Sequence, residues 1–365
     1  MRISGLSRHQ YYYRKQGRKR GRKASEESLL ADNSKIDNAR LVVLIKQIQG
    51  KNQNRYGYQK MSYALKEQGV LINKKKVYRI MKENNLLQQR TKQSGKNYVK
   101  FRKVKPSEPL QVLEMDIKFV WVEQHSRHAY VLSVIDTFTR KVLYFTVQYS
   151  ITKNTVKAAW EHIVREQLQP ADLLKRSLQI EVRNDNDKRF SAKTVQDFFK
   201  ENHLSQVFTH PYTPQENGHI ESFHSILSRH LKPHLFWSLE QLEQTLALFY
   251  EHYNNERIHS SIAFTSPCDF EVLWHKKMIE KKELQNGRKT VFKLLIPYHQ
   301  IKRHTGKYEP KGSLLHGFEP LDEAKKPEKE KMTGADTSNN LRYKKSPSVV
   351  SCIANVETKN YLCNT

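Results

Sequence analysis

The chain has 365 residues, 28% of them charged, with a formal net charge of +27. That length allows two cores to fold without disulfide staples, and that charge points to a polyanionic partner, most simply nucleic acid. Cys268, Cys352 and Cys363 make no CxxC pair, and the apolar run Leu41–Ile45 is far too short to span a bilayer. These features argue against a disulfide scaffold, a zinc module and a membrane protein, and predict a soluble chain of a reducing compartment.

In chain order, residues 1–37 read as a basic arm, with Tyr11-Tyr12-Tyr13 followed by RKQGRKRGRK. Residues 1–105 hold 28 Lys and Arg against 6 Asp and Glu, so most of the positive charge lies in this first third. Residues 38–89 read as three short helices. Leu41, Leu44, Ile45 and Ile48 share a face of the first, and Gly50 is placed to stop it. The second spans Gln59–Gln68 before Gly69. The third begins after Asn73, a good N-cap, and buries Val77, Ile80 and Met81. Lys74, Lys75, Lys76, Arg79 and Lys82 surround that stripe. A tight turn before a strongly basic helix predicts a helix-turn-helix unit contacting DNA, the alternative being a small bundle with a solvated charged face. Residues 90–110 read as a basic linker able to lie along phosphates.

The character changes at residue 111. LEMDIKF (113–119) alternates apolar and polar residues, a period-two strand with Glu114, Asp116 and Lys118 on one face. Strands are expected over 129–136 and 141–149 as an antiparallel meander. A helix follows over 155–168, then a strand (178–182), a helix (192–201) and a short strand (206–209). A helix over 218–231 carries Ile220, Phe223, Leu227 and Leu231 inward, and another spans 239–257. The order β-β-β-α-β-α-β-α implies an α/β fold, a mixed sheet with helices packed on it. The expected core covers 111–275. Residues 276–310 form a basic extension, and 311–365, rich in Lys, Glu, Ser and Asn, a disordered tail.

In that order Asp116 lies on the first core strand, Asp185 just past the fourth, and Glu221 on a helix beyond the fifth. Carboxylates are the natural oxygen ligands of Mg²⁺ or Mn²⁺, and three of them can hold the metal pair of in-line phosphoryl displacement. Asn217 stands at a capping position before the glutamate helix. His219 and His224 are five apart and do not share a helix face, so paired zinc ligation is not expected. Trp121 and Tyr212 are candidates for either base stacking or core packing, and His210 for a loop. No GxxxxGK[ST] or GxGxxG is present, so no nucleotide cofactor is implied.

These residues resemble the DDE transposases of bacterial insertion sequences, of the OrfB type with a retroviral-integrase-like, RNase H-like core. The resemblance spans roughly 38–275. It is carried by YGYQKMSYALKEQG and INKKKVYRIMKENNL, by LEMDIKFV and VIDTFTRKVL, by NDND in place of Ser-Asp-Asn-Gly, and by TPQENGHIESFHSIL and YNNERIHSSIAFTSPCDF. It implies Asp116, Asp185 and Glu221 as catalytic and metal-holding residues, two Mg²⁺ or Mn²⁺ ions, and cleavage followed by 3′-hydroxyl joining. It also implies double-stranded DNA partners (element terminal repeats and target), a homo-oligomer on DNA, and an OrfA partner or fusion. Asp136 matches a non-catalytic position and reads as a strand-end structural acid. Two departures stand out. Asp187 replaces the family's glycine and is an alternative second ligand. Ser228 stands where the family has Lys or Arg, with Arg229, about 100° around the helix, as a partial substitute for DNA contact. A non-catalytic DNA-binding regulator and a structure-directed RNase H-like nuclease are the alternative functions.

Overall fold

The computed structural model describes residues 5, 7, 11–12, 24–53, 56–88, 104–171, 179–210, 214–284 and 289–305. Most of the basic arm, most of the expected linker, Tyr212 and the expected tail therefore lie outside the described residues.

The N-terminal part pairs three helices with a small sheet. Strands β1 (Glu27–Leu30), β2 (Lys35–Asp37) and β3 (Val70–Leu71) pair in the order β2-β1-β3. They lie partly in the stretch read as an arm. Helix α1 (Asn38–Lys51) starts where the Asp37 side chain accepts the Arg40 N–H, and it runs through Gly50 instead of stopping there. Helix α2 (Tyr58–Glu67) does end as expected, with Gly69 in the left-handed region at φ +83°, where a side chain would be strained. Helix α3 (Lys74–Glu83) is capped by Asn73, whose side chain accepts the Lys75 N–H at 2.9 Å. Leu41, Ile45, Met61, Leu65, Val77, Ile80 and Met81 form the core of this part.

Ile258, from far along the chain, completes that core. The hydroxyl of Tyr56 accepts its N–H at 2.8 Å, and the ring of Tyr63 stacks on Phe264 at 3.9 Å.

The second part is built on five strands: β4 (Val112–Val122), β5 (Arg127–Asp136), β6 (Val142–Gln148), β7 (Ile180–Asn184) and β8 (Leu204–Phe208). Their order is β6-β5-β4-β7-β8, antiparallel through the first three and parallel from β4 to β7 to β8. Period-two alternation splits β4 between two cores. Leu113, Met115 and Ile117 pack under α4 (Lys153–Ile163, continued by a π turn at Val164–Leu168) and α5 (Lys193–Glu201). On the other face Val120 and Val122 pack under α6 (Gly218–Leu231) and α7 (Leu239–Asn255). Helix α6 ends two residues before Pro233, whose ring and missing N–H forbid continuation.

The segment read as a basic extension carries a further cluster. Helix α8 (Pro267–His275), the hairpin β9 (Ile279–Leu284) and β10 (Lys289–Leu294), and helix α9 (Ile301–Thr305) gather Phe270, Leu273, Ile279, Leu294 and Ile301 around Phe138.

Candidate active site

Strand β7 pairs with β4 only as far as Glu114↔Arg183 and ends at Asn184. Asp185 is thus the first residue beyond the strand, beside the middle of β4, where Asp116 stands. Asp116 is half-buried. One of its oxygens accepts the Ile117 N–H at 2.8 Å, and the other lies 3.2 Å from Nδ1 of His224. Asp185 is held above the usual carboxylate range, first by partial burial and next by the negative charge of Asp116. The charge of Asp116 is thus close enough to disfavour ionisation of Asp185.

The turn after Asp185 is tightly organised. Asp185 accepts the Asp187 N–H at 3.3 Å, and Asn186 donates to the Thr209 carbonyl at 3.1 Å. Asp187 receives a fork from Arg189, with Nε at 2.9 Å and Nη2 at 2.5 Å, and its carboxyl is held below its ordinary value by that contact.

Helix α6 is fixed against β4 in a regular register. Glu114 Oε2 accepts the Ile220 N–H at 2.7 Å, Asp116 meets His224, and Lys118 lines one groove with Ser228. Two residues of strand advance about 6.7 Å and four residues of helix about 6 Å, so strand and helix run side by side in step. Glu221 lies in the first turn of α6, solvent-exposed, between the levels of Glu114 and Asp116.

Glu114 is fully buried, and burial pushes its carboxyl up to about 7 against the opposing pull of the Ile220 N–H and the Arg140 charge. The Asn217 side chain makes no cap bond, and its buried Oδ1 has no hydrogen-bond partner. The capping expected of Asn217 is supplied across the sheet by Glu114. A second tie precedes the helix: buried Arg183 donates to the Glu216 carbonyl at 3.3 Å, and Glu216 accepts the His210 N–H at 3.1 Å. His219 is kept neutral, its pKa pushed down to about 3 by burial and then by Arg140 and Arg183.

The structure therefore brings Asp116 and Asp185 together and sets Glu221 on the helix bound to the same strand. Among the described residues no three His, Cys, Asp or Glu side chains are arranged to hold a metal ion. Asp136 accepts both the Phe138 and Thr139 N–H groups and the Thr139 hydroxyl, a strand-end structural role. Ser228 donates to the His224 carbonyl, and Arg229 Nε to the Ser225 carbonyl at 3.1 Å. Of the basic residues on α3, Lys76 donates to the Glu27 carbonyl at 2.6 Å and Arg79 to the Ser25 carbonyl at 2.7 Å, whereas Lys74, Lys75 and Lys82 are exposed. Sequence reasoning assigned Glu114, Arg183 and His224 no role at the site. Its available signal was a glutamate facing the same way as Asp116 on a strand otherwise apolar enough to be buried.

Comparison with protein families decides the lineage of this arrangement. Integrase core domain models match residues 106–214 and 202–267, and an HTH-like domain model matches 35–94. The chain thus matches an HTH-like domain followed by an integrase core domain, and its relatives are proteins of insertion elements. It is 24% identical to an uncharacterized 31.7 kDa protein of insertion element IS407 from Burkholderia multivorans, over 59% of this chain and 75% of that one. It is 27% identical to an uncharacterized 39.2 kDa protein of IS476 from Xanthomonas euvesicatoria, over 64% of this chain and 63% of that one. It is also 23% identical to the putative transposase InsK of IS150 from Escherichia coli, over 62% and 81% of the two chains. Among solved structures, the catalytic core of BIV integrase aligns over 46% of this chain and 97% of its own, at 16% identity and a TM-score of 0.34. No helix among the described residues is long and apolar enough to cross a membrane.

Proposed function

We propose that this chain is a transposase that cuts and joins DNA at Asp116, Asp185 and Glu221, acting on the ends of its own element. The observation that carries this reading is the adjacency of Asp116 and Asp185 beside a helix whose register is locked to the same strand. Two adjacent carboxylates, offering only hard oxygen donors, fit a divalent cation such as Mg²⁺ or Mn²⁺. Glu221 would complete the ligand set. Two such ions, when bound, would activate the attacking hydroxyl and neutralise charge on the leaving oxygen.

The chain's own residues do the positioning. Glu114 and Arg183 hold the start of α6. His224 orients Asp116, and the Asp187 N–H orients Asp185. Exposed Lys74, Lys75 and Lys82 on α3 supply phosphate contacts that keep the element end in place. The attacking group is water in the cutting step and the freed 3′-hydroxyl in the joining step.

The test is strand transfer of a pre-cut element end with Mg²⁺, using Asp116→Asn, Asp185→Asn and Glu221→Gln. Each is expected to lose joining by three orders of magnitude or more while still retaining DNA in a gel-shift assay. Normal joining by any one of them would overturn its assignment.

A further inference from the structure

The N-terminal helices and the five-stranded part meet along a seam where positive charge collects. Lys60, in the first turn of α2, holds its ammonium 5.6 Å from the centroid of the Tyr56 ring. The hydroxyl of that ring accepts the N–H of Ile258, which brings the flanking residues Arg257 and His259 to the same place. The His259 N–H donates to the Thr265 carbonyl at 3.0 Å, and its carbonyl accepts the Phe264 N–H at 3.1 Å, so this segment is pinned. The Tyr253 ring lies 4.8 Å from His259 and 4.8 Å from Phe223 of α6, the helix that carries Glu221.

Arg257 and His259 are only 9% and 8% exposed, yet Nε of the first and Nε2 of the second are buried without a hydrogen-bond partner. The charges around them are all positive. Lys60 feels Arg257 and Arg229, and His259 feels Lys60, Arg257 and Arg140. Arg257 has Arg229 and the neutral phenols of Tyr56 and Tyr253 beside it. Among the described residues no carboxylate is one of these neighbours. Buried cations without an anion cost free energy, and unpaired buried donors call for a partner. An anion from outside the chain would answer both. A phosphate offers several acceptor oxygens at once, enough for an ammonium, a guanidinium and an imidazole together. Arg229 is exposed and its charge reaches both Lys60 and Arg257, so the cluster opens to solvent on the side of α6. Neither YGYQK, which holds Lys60, nor NNERIHSS, which holds Arg257 and His259, has a part in the carboxylate site.

We propose that Lys60 and Arg257, backed by His259, form a pocket in the seam that takes one backbone phosphate of bound DNA. The choice of DNA rests on the function proposed above. A phosphate held there would touch the helical part and the catalytic part at once, and it takes no part in the bond change.

The test uses the full chain without divalent metal. Thermal unfolding in sodium phosphate is compared with sodium chloride at matched ionic strength, and affinity for a blunt duplex is followed by fluorescence anisotropy as salt rises. Phosphate is expected to raise the parent's unfolding midpoint by several degrees in a saturable way. Lys60→Met and Arg257→Gln are each expected to abolish that rise, and each to lower the slope of log affinity against log salt by about one. Lys60→Arg, which keeps the charge, is expected to restore both. Lys60→Met removes an uncompensated charge and is expected to fold at least as stably as the parent, so its losses read the pocket and not the fold. A midpoint rise and a salt slope unchanged in both neutral variants would overturn the proposal. Loss of the phosphate effect with an unchanged slope would assign the pocket to a free anion and overturn its assignment to DNA. Dissociation of an oligomer in Lys60→Met, read by sedimentation, would assign the cluster to an acidic side chain of a second copy and overturn it as well. Asp116→Asn is expected to match the parent in both measurements. A joining-competent Asp116→Asn would therefore sink the cutting-site reading without touching them.

Discussion

The carboxylate of Glu114 accepts the backbone N–H of Ile220 at 2.7 Å, so a buried acid on β4 caps the helix that carries Glu221. Glu114→Ala is expected to leave that N–H without a partner and to destabilise the fold by about 2–3 kcal/mol, as read by urea unfolding. Glu114→Gln keeps an acceptor in place and is expected to retain most of the stability. The pH dependence has a definite sign. With its folded pKa raised to about 7 from an ordinary 4.5, Glu114 binds its proton more tightly in the folded chain. Its contribution is complete below pH 4.5 and is lost as pH rises through 7. Urea unfolding from pH 4.5 to 7.5 should show that decline in the parent and not in Glu114→Gln.

Asp185 and Asp187 are two residues apart, and only one faces Asp116 electrostatically. Asp187→Asn breaks the fork from Arg189 and is expected to cost about 1 kcal/mol of stability, since the pair is only half-buried. Joining should remain within tenfold of the parent. Loss of joining comparable to that of Asp185→Asn would show Asp187 to be the second ligand.

His224 lies 3.2 Å from Asp116 and is buried. Partners that orient a metal-holding carboxylate typically matter tenfold to a hundredfold. His224→Ala is therefore expected to raise the Mg²⁺ concentration needed for half-maximal joining by at least tenfold, with blunt-duplex binding unchanged. An unaltered Mg²⁺ titration would reduce His224 to a packing residue.

The exposed lysines of α3 divide from the engaged ones. Replacing Lys74, Lys75 or Lys82 by Gln is expected to lower the slope of log affinity against log salt by about one for each lysine that meets a phosphate. Lys76→Gln and Arg79→Gln are expected instead to loosen β1 and the residues leading into it, whose Glu27 and Ser25 carbonyls they hold, and to show their effect in thermal unfolding.

Lys60 carries an ammonium pushed down to about 7, first by burial and then by the charges of Arg257 and Arg229. Unfolded, it keeps its proton to about pH 10.5. Between these values the unfolded chain binds the extra proton, so stability rises with pH across that window and is lost as pH falls through 7. Lys60→Met should flatten that rise, measured by urea unfolding at pH 7 and 9.

Period-two alternation made β4 legible, because a strand shared by two cores must alternate, and the order of elements placed Asp116 on the first core strand and Asp185 just past the fourth; that these two strands pair is visible only in the folded sheet. The stripe Ile220, Phe223, Leu227 and Leu231 made α6 legible over its whole length. The capping of that helix was not legible, because the acceptor lies 106 residues away and only the folded sheet brings it near. Strands β1 to β3 escaped because strands of 4, 3 and 2 residues give too short a pattern to stand out from the surrounding charge. Gly50 misled because glycine stops a helix only where the backbone turns left-handed. Here the helix runs on to Asn52, whose N–H donates to the Ile48 carbonyl and closes the last turn.

The shared core around Ile258, sealed by Tyr56 and by the Tyr63–Phe264 stack, makes the molecule a ruler. On the function proposed above, a helix that would grip DNA and an edge that would cut it are joined by packed side chains, so the interval between grip and cut is a dimension of the protein. Each base pair inserted into an element end between the two would carry the correct phosphate about 3.4 Å along the duplex, out of register with carboxylates that cannot follow it.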